Sequence, residues 1–106
     1  MLPLLLTITT LLAGSPAGDI YGDVRLGEKY LANTKLELKC GTEAVQTATT
    51  DSLGSFRFLV KTGGKCRLTV NYDKQTPSVD VVAFDKPARY RLIVELKDGK
   101  YTLKRV

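Results

Sequence analysis

The segment Thr49-Thr50-Asp51-Ser52-Leu53-Gly54-Ser55-Phe56-Arg57-Phe58 carries the strongest structural signal in the chain. It reads as the end of one strand, a tight turn and the start of a second strand. Asp51 accepts hydrogen bonds from backbone N–H groups two or three residues on, which closes a turn. Gly54 supplies a positive φ without steric cost. Phe56 and Phe58 alternate with Arg57, the period of two that marks a strand with one buried face. The expectation is a hairpin turn in a β domain. A calcium loop built on Asp51 is not expected, because one carboxylate falls far short of a calcium shell.

The same alternation extends to both sides. Over 19–26, Ile20, Gly22, Val24 and Leu26 alternate with Asp19, Tyr21, Asp23 and Arg25. Over 34–40, Leu36, Leu38 and Cys40 share one face, and Lys35, Glu37 and Lys39 the other. Residues 45–50 are rich in Thr and weakly apolar, as befits an exposed or edge strand. Residues 55–60 form the strand after the turn, and 66–72 the next, with Cys66, Leu68, Val70 and Tyr72 in phase. A Gly-rich loop, 61–65, joins them. A phosphate cradle would need a helix N-terminus behind that loop; a strand follows, so the loop reads as a turn. Pro77 precedes a further β segment over 79–84.

The last hairpin is the most sharply specified. Asp98-Gly99 is a preferred pair for a two-residue type I′ turn. It places Lys97 opposite Lys100, Leu96 opposite Tyr101, Glu95 opposite Thr102, Val94 opposite Leu103, Ile93 opposite Lys104 and Arg91 opposite Val106. Turn chemistry and apolar pattern agree on this register. Beyond the N-terminal segment no stretch has a helical period. The chain is therefore read as all-β, an immunoglobulin-like or transthyretin-like sandwich of seven to eight strands.

The chain has 106 residues, enough for one domain. It contains no His, which removes the usual general base, the usual zinc ligand and any Ser-His-Asp triad. No charge precedes Asp19, and Leu2 to Ala13 is mostly apolar. That run is too short to span a bilayer, which takes about 20 residues, and it suits the apolar region of a secretory signal. Ser15-Pro16-Ala17 offers small residues for cleavage after Ala17; the basic region that usually opens such a signal is absent. The expected organisation is a signal peptide over 1–17 and a β-sandwich over 18–106. No stable membrane span remains after cleavage, and the expected location is secreted or periplasmic, in the cell envelope. Cys40 and Cys66 are the two cysteines. An even count in an exported domain favours a disulfide between them, and both fall on inward phases. The alternative is a pair of buried reduced thiols.

Three stretches together resemble the carboxypeptidase regulatory-like domain. They are Tyr21-Gly22-Asp23-Val24, then Leu31-Ala32-Asn33-Thr34-Lys35-Leu36-Glu37-Leu38, then Thr50 through Phe58. That family reads G-x-V, a small-residue segment into V-x-L, T-D-x-x-G-x-F-x-F and G-x-Y-x-L-x-V. Gly64-Lys65-Cys66-Arg67-Leu68-Thr69-Val70 is similar to the last element, with Cys66 where an aromatic is usual. The resemblance covers nearly all of 18–106, and it rests on turn and core residues. It implies a transthyretin-like sandwich of the kind found beside metallocarboxypeptidases, in outer-membrane receptors and in surface proteins. It implies no peptidase activity, because the catalytic zinc site of those enzymes lies in another domain.

The net charge is +5, and it is unevenly placed. Residues 1–85 carry nine basic and nine acidic residues, whereas from Lys86 onward seven basic residues face only two acidic ones. Arg89, Arg91, Lys97, Lys100 and Lys104 project from the expected outer face of the last hairpin, a candidate anion-binding surface. The competing reading is a solvated face whose lysines block edge-to-edge pairing. No catalytic residue, cofactor or metal is expected, because the carboxylates are scattered with no spacing that forces a pair. Nucleic acid is not expected, since interleaved stacking aromatics are sparse. The sequence thus points to a non-catalytic envelope module that binds a protein, a glycan or another polyanion. The alternative is a small secreted enzyme inhibitor acting through residues 61–65 or 73–77.

Overall fold

Alternation along the chain is realised as nine strands in a computed structural model, which describes residues 18–61 and 63–106. They are β1 (Gly18–Leu26), β2 (Lys29–Tyr30), β3 (Lys35–Cys40), β4 (Gln46–Thr49), β5 (Ser55–Val60), β6 (Gly64–Asn71), β7 (Ser78–Ala83), β8 (Ala88–Lys97) and β9 (Lys100–Arg105). Eight of them match the expected segments, and the two-residue β2 is additional. The signal segment expected over 1–17 lies outside the described residues, as does Thr62 of the Gly-rich loop.

The strands form two sheets around one core. Sheet B has the order β4-β3-β6-β7 and is antiparallel throughout. Sheet A is five-stranded and is built around β1. On one side of β1, β5 pairs from Gly18↔Val60 to Asp23↔Ser55, and β2 pairs at Leu26↔Lys29. On the other side β8 runs parallel to β1, from Ile20↔Ala88 to Leu26↔Val94, and β9 closes the edge. Ile20, Val24, Leu36, Leu38, Val60, Leu68, Val70, Val81, Leu92 and Val94 are fully buried between the sheets. Each such side chain contributes roughly 1.5–3 kcal/mol of transfer free energy.

The turn after Thr50 is not a hairpin. β4 belongs to sheet B and β5 to sheet A, so the turn carries the chain across the sandwich. Asp51 makes the expected local bonds: its Oδ1 accepts from the N–H groups of Leu53 and Ser55, both at 2.9 Å. Those bonds hold the Asp51 carboxyl below its ordinary value. The neighbours decide where the flanking strands go. Thr50 exchanges backbone bonds with Asn33 and Thr34, and its buried Oγ1 donates to Leu31 O and accepts from Thr34 N–H. On the far side Val24 N–H donates to Gly54 O at 3.0 Å. Gly54 has φ 71°, and a Cβ there would lie 2.6 Å from Val24 O. The position therefore needs glycine for conformation and for space.

Cys40 and Cys66 form the expected disulfide. They stand directly opposite each other in β3 and β6, with Cα atoms 4.2 Å apart, the spacing of a close cross-strand pair. Both are buried.

The final hairpin has the expected register at every pair from Lys97↔Lys100 to Ile93↔Lys104, and Val106 N–H donates to Arg91 O. Its turn meets the β6–β7 turn at the same end of the sandwich. There Tyr72 and Gln75 exchange backbone hydrogen bonds around Asp73-Lys74, and both turn residues have positive φ, 49° and 66°. At the other end of β7, Tyr90 Oη accepts from Val82 N–H and donates to Val82 O. A side chain of sheet A thus occupies both polar groups on that stretch of the β7 edge.

Candidate functional site

On β8 the even positions Leu92 and Val94 point inward, so the odd positions Arg89, Arg91, Ile93, Glu95 and Lys97 point outward. Lys97↔Lys100 and Ile93↔Lys104 place Lys100 and Lys104 on the same outward face. All five candidate bases therefore share one face of sheet A. They do not share one cluster. Eight residue steps of strand separate Arg89 from Lys97, roughly 26 Å at the usual rise, and Ile93 and Glu95 lie between them. Lys97 and Lys100 form a like-charged pair at the hairpin tip, next to Asp98 and the 60% exposed Leu96.

Arg89 is not a free cation. Parallel pairing brings β1 beside β8, and Asp23 Oδ2 lies 3.9 Å from Arg89 Nη2. On the other flank of β1, Arg57 donates from Nε to Asp19 Oδ2 at 3.0 Å and makes a second contact to that oxygen through Nη2. The registers put Arg57, Tyr21 and Arg89 in one transverse row across β5, β1 and β8. Ser55, Asp23 and Arg91 form the next row. Asp19, Tyr21, Asp23, Ser55, Arg57 and Arg89, with Pro87 at the rim, line a shallow hollow of about 590 Å³. Its side chains stand on strands, and β1 is held tightly against β8. A Cβ on Gly22 would lie 1.7 Å from Tyr90 O, so only glycine permits this approach.

Sequence reasoning reached Arg89 and Arg91 but missed Asp19, Tyr21, Asp23 and Arg57 as their neighbours. The outward phase of the β1 residues was legible. The parallel β1–β8 pairing that makes them part of one site was not.

The loops considered for an inhibitor are short. Gly64 and Lys65 already belong to β6, and Asp73–Lys74 is a two-residue turn. Among the described residues no group of three or more His, Cys, Asp or Glu side chains is placed to hold a metal ion. No helix among them is long and apolar enough to cross a membrane. Comparison with models of known protein families returned no match. Comparison with curated proteins returned none either.

Proposed function

We propose that the chain is a non-catalytic β-sandwich module of the cell envelope, akin to carboxypeptidase regulatory-like domains, that binds a protein or glycan partner through the outer face of sheet A. The supporting observation is the placement of Arg89, Arg91, Lys97, Lys100 and Lys104 on that one face, beside the hollow around Tyr21. A basic face steers acidic or polyanionic partners by long-range attraction. The disulfide is in keeping with an oxidising compartment.

The test is crosslinking of the full chain in its native envelope fraction, followed by mass spectrometry. The control carries Arg91→Glu, Lys97→Glu and Lys104→Glu and leaves Arg89 with Asp23. A specific partner that is lost in the control supports the reading. Recovery only from the cytosol, or a partner set indifferent to the charge reversal, overturns it.

A further inference from the structure

We propose that the hollow on sheet A, around Tyr21, is a carbohydrate site that takes an uncharged pyranose. This rests on the reading of the outer face of sheet A as a binding face, and it names the ligand class for one part of that face.

The charges come first. Asp19, Asp23, Arg57 and Arg89 supply two carboxylates and two guanidinium groups, which sum to zero. With no net charge, the hollow offers a phosphate or uronate no net long-range attraction. A neutral polyhydroxylated ligand needs none. Carboxylates only accept hydrogen bonds and guanidinium groups only donate. Each Asp–Arg couple therefore presents an acceptor beside a donor, which matches two adjacent hydroxyls of a sugar ring.

Unused bonding capacity points the same way. Arg57 contacts only Oδ2 of Asp19. The contact from Arg89 to Asp23 is 3.9 Å, an ion-pair distance beyond hydrogen-bond reach. Among the described residues neither carboxylate oxygen of Asp23 receives a hydrogen bond, although its side chain is only 17% exposed. Its oxygens therefore reach solvent, and a ligand hydroxyl would take the place of water there.

Tyr21 provides the apolar component. It is 37% exposed and lies in one row between Arg57 and Arg89. An aromatic ring offers a large apolar surface to the C–H face of a pyranose, with polar groups on both sides to read its rim. The arrangement stands on three paired strands, and such strands hold side chains more precisely than loops do.

The experiment is an amide-resolved NMR titration of the folded, disulfide-bonded chain. The probes are glucose, galactose, mannose and N-acetylglucosamine, then their linear oligomers, with polygalacturonate as the anionic comparison. The expected result is saturable shifts at Tyr21, Asp23, Arg57 and Arg89 with a neutral saccharide. Tyr21→Ala then weakens that binding by at least about tenfold, and Tyr21→Phe largely restores it. Asp23→Asn, whose amide still accepts through one oxygen, provides a second variant should Tyr21→Ala fail to fold, and it lowers affinity. Failure of every neutral saccharide to shift these amides overturns the proposal. If polygalacturonate alone binds, with shifts on Arg91, Lys97 and Lys104 that Tyr21→Ala leaves intact, the sugar site falls and the basic face stands. No binding of either kind, together with an unchanged crosslinking pattern, removes both.

Discussion

The side-chain carbonyl of Gln75 accepts a hydrogen bond from the backbone N–H of Tyr101 at 2.8 Å, and its amide donates to Gly99 O at 3.1 Å. One residue of the β6–β7 turn thereby ties down the turn of the β8–β9 hairpin. The contact is supported by Tyr72 and Tyr101, whose rings meet edge to face with centroids 5.1 Å apart. Tyr101 Oη also reaches Asp73 Oδ2 at 3.4 Å. Partial burial, together with that carboxylate, pushes the Tyr101 phenol above its ordinary value. Gln75→Ala removes both bonds from the tether and should lower stability by about 1–2 kcal/mol. Urea denaturation measures the loss, and faster hydrogen exchange at Tyr101 locates it.

Lys74 occupies the left-handed region at φ 66°, where a side chain costs roughly 1–2 kcal/mol and glycine is favoured. Lys74→Gly should therefore raise stability by about 0.5–1 kcal/mol, after the greater entropy of an unfolded glycine is subtracted. A higher urea midpoint at unchanged slope is the expected observation.

The disulfide closes a loop between residues 26 apart in sequence. Constraint of the unfolded chain by such a loop stabilises the fold by about 3–4 kcal/mol. The double variant Cys40→Ala, Cys66→Ala should lose that amount in reducing and oxidising buffer alike. The parent chain should show a comparable loss only when reduced.

Asp51 gives stability a definite pH dependence. Its carboxyl titrates below the ordinary value in the folded chain because the N–H groups of Ser55 and Leu53 stabilise the ionised form. A depressed folded pKa means that the unfolded chain binds the proton first as acid is added. The contribution is complete above the ordinary carboxylate range and is lost as pH falls through the folded pKa. Denaturation midpoints followed from pH 6 to pH 2 should fall less steeply for Asp51→Asn than for the parent chain. Equal slopes would refute the assignment.

Gly22→Ala should be among the most damaging single changes. The added Cβ would meet the Tyr90 carbonyl at 1.7 Å, so β1 and β8 must part. A loss on the order of 4 kcal/mol or more is expected, or failure to fold. Circular dichroism and thermal melting report either outcome, whereas an alanine tolerated without loss would contradict the close approach.

The parts of this fold legible in the sequence are those in which chemistry is local. Asp98-Gly99 fixes its turn and, with Val94 and Leu103 in phase, the register of the last hairpin. Phe56 and Phe58 announce β5 because alternation is a property of the strand itself. β2 escapes because Lys29 and Tyr30 are both exposed and too few to show a period. The Asp51 turn is legible as a turn but not as a sheet crossing, since its Asx bonds are the same whether the flanking strands pair or separate. Thr50 settles that question through Leu31 and Thr34, and nothing in its immediate neighbours signals those partners. The hollow is the extreme case: Tyr21, Arg57 and Arg89 come from three distant stretches, and only the pairing of β5, β1 and β8 sets them side by side.

Contact order leads one to expect that pairing late in folding. Sheet B needs only the hairpins β3–β4 and β6–β7 and the β3–β6 pair between them. Sheet A can pair β1 with β2 and β5 early, but it is completed only when β8 closes on β1 across nearly the whole length of the domain. Loop closure of that length is paid in entropy before any contact rewards it. A growing chain can therefore assemble sheet B while Ile20 and Val24 still lack their β8 cover. The surface that carries Tyr21 and Arg89 exists only after the last strands have docked, so binding at that surface would report that folding is complete.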